Sequence, residues 1–357
     1  MTVRRLVQIV QIVPELPPAI GGVAGYAAAL AGALEPAGLV TRFLAPGTLA
    51  RDGRRLEREL AGEETVLLHY ANYGYARRGC PAGLIAGLER WRAARTGRAA
   101  RSARGARGGR RLVTVFHEVY ASGPPWRSSF WLNPWQRRLA ARLAALSDRV
   151  LTPLGLYAGL LRRLAPGVRV AVLPVFSTIG EPAEMPEAGG RPPALAVFGG
   201  AGARGRAYGE WRPSLAAACR ELGIEEILDV GPDAGAPGSL DGLPVRRLGV
   251  LPEAEAGAAL LAARAGFLAY PPRFLAKSTI FAAYCAHGLL PVCAWKRQEG
   301  GGEAPPFWRP GDGGEPRTVA GVAEMAEVAA AALAWYREHS LALQVETYRG
   351  LLAGGGE

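Results

Sequence analysis

The chain has 357 residues, 49% hydrophobic and 20% charged, so it can bury two domain-sized cores and is neither a disordered nor a fibrous chain. A formal net charge of +11 points to anionic partners: sugar nucleotides, a phospholipid surface or nucleic acid. Almost all of the positive charge is arginine, and lysine occurs only at Lys277 and Lys296.

The first half reads as strands alternating with helices. Leu6 to Val13 is expected as a buried strand. Gln8 and Gln11 interrupt its apolar run, no small-residue cleavage site follows, and Pro14 to Pro18 break the chain, so it does not read as a signal peptide. The turn IGGVAGY, Ile20 to Tyr26, opens an alanine-rich helix from Val23 to Leu34. Gly21 and Gly22 let a backbone approach a ligand there, and the first N–H groups of the helix face any anion; the same glycines also suit a plain turn. Leu39 to Leu44 and Thr65 to His69 follow as strands, the second leading into the aromatic loop HYANYGYARRG. Leu84 to Arg95 is a helix.

Arg92 to Arg111 is a low-complexity run of Arg, Ala, Gly and Ser without interleaved aromatic residues, and reads as a surface insertion rather than a base-stacking platform. Leu112 to Phe116 is a strand that runs into His117 and Glu118. Ligand sites of open parallel sheets lie beyond such carboxyl ends, so His117 can bond a sugar hydroxyl or share a reacting proton, or it can simply cap the loop. His69 occupies the same kind of position. The segment from Gly123 to Arg138 holds Trp126, Phe130, Trp131 and Trp135 beside Arg127, Arg137 and Arg138. It reads as an acceptor-side or membrane-facing loop, or as core at a helix start. Pro134 to Leu146 is expected as a helix, and Arg149 to Thr152 and Val168 to Pro174 as the last strands of this half.

The run from Phe176 to Pro193, rich in Pro, Gly and Glu, reads as a linker, after which the alternation restarts. The strand Ala194 to Phe198 opens into the loop GGAGARGRAYG, where Arg204 or Arg206 can grip phosphate oxygens, or stand solvated. Helices are expected over Pro213 to Leu222, Pro252 to Ala263 and Lys277 to His287. The strands are Glu226 to Val230, Val245 to Leu248, Ala265 to Tyr270 and Leu289 to Ala294. A long helical pattern from Val319 to Leu352 breaks near Glu338 to Ser340. Lys277, with the hydroxyls and N–H groups of Ser278 and Thr279, can hold phosphate at a helix start, while Ser278 or Thr279 can also serve as an ordinary cap. Cys80, Cys219, Cys285 and Cys293 are widely spaced with no CxxC pair, so free thiols in a reducing cytoplasm are expected, with no metal site.

This order implies an α/β protein of two facing doubly wound, Rossmann-like domains with a cleft between them. The boundaries read as 1–175 for the acceptor-side domain with its basic insertion 92–111, 176–193 for the linker, and 194–335 for the nucleotide-sugar domain. A final helix over 336–357 is expected to pack back on the first domain.

In order and position over nearly the full length, these pieces resemble retaining GT-B-fold glycosyltransferases, the large family that includes phosphatidylinositol mannosyltransferases and sucrose synthases. GGVAGYAAALAGAL is similar to the family's Gly-Gly turn and helix, and TVFHE to the strand end where such enzymes carry a histidine beside the reacting sugar. LGVLP resembles the segment that meets the nucleobase, and AYPPRFLAKSTIFAAYCAHGLLPV the donor ribose and phosphate segment. The resemblance implies transfer of a sugar from a nucleoside-diphosphate donor to a hydroxyl of a glycan, lipid-linked or small-molecule acceptor, with retention. No cofactor or metal and no specific nucleic acid is implied. The expected setting is cytoplasmic, with peripheral contact to a membrane.

By the same resemblance His117 is catalytic, and Val250 and Leu251 meet the nucleobase and ribose. The residues themselves, rather than the resemblance, assign Arg204, Lys277, Ser278, Thr279, Gly21 and Gly22 to donor phosphate, and His69, Glu118 and Trp126 to the acceptor side. One departure stands out. The family's pair of glutamates, with seven residues between them, would fall near Leu275 and Ala283, and neither is present. A GT-B sugar-nucleotide epimerase and a non-catalytic sugar-nucleotide or polyanion-binding protein are the rival readings.

Overall fold

The computed structural model describes residues 6–18, 22–45, 47, 52–94, 109–186, 190–296, 304–311 and 319–353. The chain forms two units, Met1–Pro174 with Gln344–Glu357, and Val175–Leu343. Gly21 and most of the basic run, 95–108, lie outside the described residues.

The first unit runs β1 (Val7–Ile12), α1 (Gly22–Leu34), β2 (Leu39–Leu44), α2 (Gly53–Glu59), β3 (Thr65–Tyr70), a single turn α3 (Asn72–Tyr75), α4 (Ala82–Ala93), β4 (Arg111–Phe116), α5 (Ser128–Leu146), β5 (Arg149–Thr152), α6 (Gly155–Leu164) and β6 (Val170–Val172). Its six strands are all parallel in the order β2-β1-β3-β4-β5-β6. Every residue of β3 is buried, as are the last four of β1, because helices cover both faces of the sheet. The connection from β1 goes first to β2 on one side, and the chain then returns to β3 on the other, so the sheet reverses direction at β1 and β3.

The second unit runs β7 (Ala194–Phe198), α7 (Ala201–Tyr208), α8 (Arg212–Glu221), β8 (Glu226–Val230), β9 (Ser239–Leu240), β10 (Leu243–Gly249), α9 (Glu253–Leu261), β11 (Ala265–Ala269), a 3-10 turn Pro272–Lys277, α10 (Thr279–Ala286), β12 (Leu290–Ala294) and α11 (Val319–Arg337). The sheet order is β12-β11-β7-β8-β10-β9, parallel except for β9 against β10. Its reversal lies between β7 and β11. The last helix, α12 (Leu341–Ala353), begins in the second unit and ends in the first, where Gln344 and Tyr348 bond the α1 residue Tyr26.

Several local expectations change. The helix expected from Pro134 starts at Ser128, with Pro134 inside it; that proline removes only one ladder bond near the helix start. Phe130, Trp131 and Trp135 therefore stand on a helix rather than a loop. The Gly-Arg loop after β7 is helical from Ala201. Gly202 and Gly205 hide it, since each weakens a helix by about 1 kcal/mol, but burial of Arg204, Ala207 and Tyr208 holds it in place. The helix expected from Lys277 is a 3-10 turn ending at Lys277, followed by α10 from Thr279. Residues 176–186 belong to the second unit: Phe176 and Ser177 are fully buried, and the Ser177 N–H donates to the Tyr336 hydroxyl at 2.9 Å. The break expected near Glu338 to Ser340 separates α11 from α12.

Candidate functional site

Two polar clusters form at the carboxyl ends of the strands, one in each unit. In the first unit, Gln11 from β1, His69 from β3 and His117 just beyond β4 stand on three adjacent strands and are all buried. The register sets this alignment: His69 pairs with Val115, and the His117 N–H continues the ladder by donating to the Tyr70 carbonyl at 2.9 Å. Gln11 Nε2 donates to Thr41 Oγ1 at 3.1 Å, which leaves Gln11 Oε1 as acceptor for His69 Nε2–H at 2.9 Å. Burial, followed by the neighbouring His117, pushes the His69 pKa well below its ordinary value, so this imidazole is neutral. A neutral ring protonated on Nε2 must accept at Nδ1, and His117 Nε2 donates to it at 3.1 Å.

Tyr26 of α1 packs edge-on against both imidazoles, with ring centroids 5.8 and 5.4 Å away. Its hydroxyl donates to Gln344 Oε1 at 2.9 Å and accepts from Tyr348 at 3.0 Å. Burial and Tyr348 raise the Tyr26 pKa well above the usual phenol value, so the hydroxyl keeps its proton. The pair is thus held on one side by a glutamine and on another by an aromatic ring that is itself pinned.

Glu118 follows His117, half-buried, and Trp126 is 83% exposed in the turn before α5. Gly22 opens α1. Sequence reasoning treated His69 and His117 separately; their direct contact and the roles of Gln11, Tyr26, Gln344 and Tyr348 were missed. Gln11 carried a signal that went unread: a glutamine inside a parallel strand buried on both faces needs a partner.

In the second unit a small cavity of about 60 Å³ opens at the sheet reversal, between the ends of β7 and β11. Its lining includes Phe198, Arg204, Arg206, Tyr270, Ser278 and Ile280. It has room for a few water molecules or one small anion. Arg204, expected as a phosphate grip, is bonded within the protein. Its side chain is 2% exposed and forms a bidentate pair with Asp229 of β8, at 2.9 and 2.7 Å, with a further donation to the Pro232 carbonyl. The Tyr208 hydroxyl completes the carboxylate at 3.0 Å, and burial followed by Asp229 raises the Tyr208 pKa. The alternative arginine, Arg206, is exposed and lines the same cavity.

The loop around this cavity requires glycine twice. Gly199 has φ +125, and a Cβ there would run into Ile280 Cδ1; Gly231 has φ +140, and its Cβ would meet the Gly199 carbonyl. Tyr284 of α10 locks the strand ends, accepting from the Phe198 N–H at 3.0 Å and facing the carbonyls of Ala196 and Phe267.

Ser278 caps α10: its hydroxyl accepts from the Phe281 N–H at 3.3 Å. Lys277 is half-buried at the end of the 3-10 turn, with Nζ 5.3 Å from the Phe274 ring centroid. Lys277 and Thr279 flank Ser278, but only Ser278 of the three lines the cavity. Val250, 64% exposed, and Leu251 follow β10, two strands from β7. Leu275 and Ala283 are both buried. Among the described residues no group of three or more His, Cys, Asp or Glu could hold a metal ion, and no helix is long and apolar enough to cross a membrane.

Several solved structures align with this chain. WaaG, a glycosyltransferase involved in lipopolysaccharide biosynthesis, aligns with a TM-score of 0.50 at 11% identity, over 97% of this chain and 100% of that one. An alpha-glucosyltransferase in complex with UDP aligns at 0.46 and 8% identity, over 81% and 80% of the two chains. The spinosyn rhamnosyltransferase SpnG complexed with thymidine diphosphate aligns at 0.45 and 13%, over 96% and 100%. The likeness to WaaG establishes the fold: two Rossmann-like α/β units, as in GT-B glycosyltransferases. No family model and no curated protein matches the sequence.

Proposed function

We propose that the protein is a glycosyltransferase that moves a sugar from a nucleoside-diphosphate donor to a hydroxyl acceptor, with retention of anomeric configuration. The observation that carries this reading is the cavity at the sheet reversal of the second unit, beside the N-terminus of α10, with Arg206 and Ser278 in its wall. Parallel α/β sheets bind phosphate at such a reversal, where helix N–H groups and a cation meet the anion. Arg206, together with Lys277 and the first N–H groups of α10, would neutralise the charge that develops on the leaving diphosphate. Val250 and Leu251 would meet the base and ribose.

In the reaction, the anomeric carbon–oxygen bond to phosphate breaks and its electron pair goes to the diphosphate. The acceptor oxygen bonds the anomeric carbon, and its proton passes to the released diphosphate. His117 would hydrogen-bond a sugar hydroxyl and so orient it. Gly22, Glu118 and Trp126 remain candidates for contacts to the reactants.

Titration calorimetry with uridine, guanosine and thymidine diphosphates tests the donor half, and release of free nucleotide from a matched sugar nucleotide tests the chemistry. Lys277→Ala is expected to weaken diphosphate binding about tenfold or more, as for a charged hydrogen bond. His117→Ala should leave binding intact and lower turnover, at a cost of about 1–3 kcal/mol for the stranded His69 Nδ1, while Lys277→Ala leaves melting unchanged. Absence of binding by every nucleotide would sink the proposal, and binding without turnover would leave a sugar-nucleotide-binding protein.

A further inference from the structure

The connection from β11 to α10 carries positive charge and no negative charge. From Ala265 to Trp295 the chain has no aspartate or glutamate, while Arg273 and Lys277 both stand in the 3-10 turn Pro272–Lys277. The two ends of this connection, Tyr270 and Ser278, belong to the wall of the cavity at the sheet reversal, so the turn rises beside the site proposed for the diphosphate.

The turn is pinned. Pro271 and Pro272 restrict its entry, Pro272 and Leu275 are buried, and the Ala276 carbonyl accepts from the Val175 N–H at 2.9 Å. Arg273 is exposed, with Cζ 4.9 Å from the Phe274 ring centroid, and Lys277 Nζ stands 5.3 Å from the same ring. A guanidinium held over an aromatic face keeps in-plane N–H groups for a carboxylate, which it can take in bidentate fashion.

Strand order says where Arg273 falls along a donor. The reversal lies between β7 and β11; Val250 and Leu251 follow β10 on one side of it, and the turn follows β11 on the other. A donor with its base at the end of β10 and its phosphates at the reversal carries its sugar to the turn. Arg206 and Lys277 suffice for the phosphates, one cation for each, so Arg273 is a further charge at the sugar. Neutral sugar hydroxyls are held well by an ionised carboxylate, which only accepts, whereas this turn offers cations, which only donate. We propose, on the donor reading given above, that the transferred sugar carries a carboxylate, as in a hexuronic acid, and that Arg273 binds this carboxylate and so selects the donor.

Titration calorimetry tests it with the nucleoside diphosphate that binds, taken free, carrying glucose and carrying glucuronic acid. The glucuronic acid form should bind at least tenfold more tightly than the glucose form, as one charged hydrogen bond provides, with a smaller gap at high salt. Arg273→Gln should bring the two forms to within about twofold of each other and leave the free nucleotide unchanged, whereas Arg273→Lys, which keeps the charge and loses the fork, should retain part of the preference. Lys277→Ala should weaken all three ligands alike. Melting of Arg273→Gln should match the wild type, since the side chain is exposed. If no free nucleotide binds, the donor site and the anionic sugar fall together. If the free nucleotide binds and the glucose form binds as tightly as the glucuronic acid form, the donor site stands and the anionic sugar is overturned. A preference that persists in Arg273→Gln, or a free nucleotide weakened as much as the glucuronic acid form, would take Arg273 off the sugar and overturn the proposal.

Discussion

The two units solve the same problem in opposite ways. Each buries polar side chains at the carboxyl ends of a parallel sheet. The first links hydrogen-bonding groups in series, Thr41, Gln11, His69 and His117, whereas the second closes an ion pair, Arg204 with Asp229, on itself. A closed pair balances the guanidinium charge inside the protein. It holds the backbone through the Pro232 carbonyl and leaves anion recognition to Arg206 and the end of α10. In such a series the orientation of one imidazole is passed to the next. The second unit's network therefore shapes its site, and the first unit's network can take part in one.

The largest test of that contrast is Asp229→Ala. It strands a buried guanidinium, and loss of about 3–5 kcal/mol is expected in urea denaturation, with hydrogen exchange accelerated first in the second unit. Replacing both partners by apolar residues, Arg204→Met with Asp229→Leu, should recover most of that loss. If the single variant cost no more than the double, the pair would not be acting as a closed unit.

The first unit should answer to pH instead. His69 is neutral when folded, with a pKa well below its ordinary value of about 6.5. Below that value the unfolded chain binds a proton that the folded unit refuses, so stability present at neutral pH is lost as pH falls from about 6.5 towards the folded pKa. His287 and His339 in the second unit contribute in the same direction, His339 because burial lowers its pKa to about 4. Gln11→Leu leaves the His69 N–H unsatisfied and should cost about 1–3 kcal/mol at pH 7.5, less than Asp229→Ala. His69→Phe should reduce the slope of stability against pH between 7 and 5, measured by urea midpoints. An unchanged slope would show that His69 does not titrate differently on folding.

Much of this arrangement could be read from the residues. Alternating apolar strands and helices, restarting after residue 193, identify two parallel sheets because burial on both faces leaves little choice of residue type. His117 is legible because it directly follows a strand. The ion pair of Arg204 was hidden for a physical reason: a Gly-Arg run looks solvated until the pairing of β7 with β8 brings Asp229 beside it, a contact across 25 positions. The His69–His117 contact, 48 positions apart, depends likewise on strand register, which neither residue reveals alone. Pro134 misplaced a helix start because proline is commoner in the first turn than inside.

Ser278 offers the smallest and most discriminating test, because capping and ligand binding make different demands on one side chain. Its hydroxyl accepts from the Phe281 N–H, so Ser278→Ala should cost about 1 kcal/mol through the lost cap. Ser278→Asp keeps an acceptor at the helix start and adds a negative charge favourable to the helix dipole, so stability should match the wild type or exceed it. The same carboxylate would stand in the wall of the cavity proposed for phosphate, where an anion repels an anion. Stability retained with nucleoside-diphosphate binding lost would therefore assign the end of α10 to the ligand, which melting and calorimetry on one protein sample can show. Binding that survived the aspartate would move the phosphate away from α10 and leave Ser278 with the cap alone.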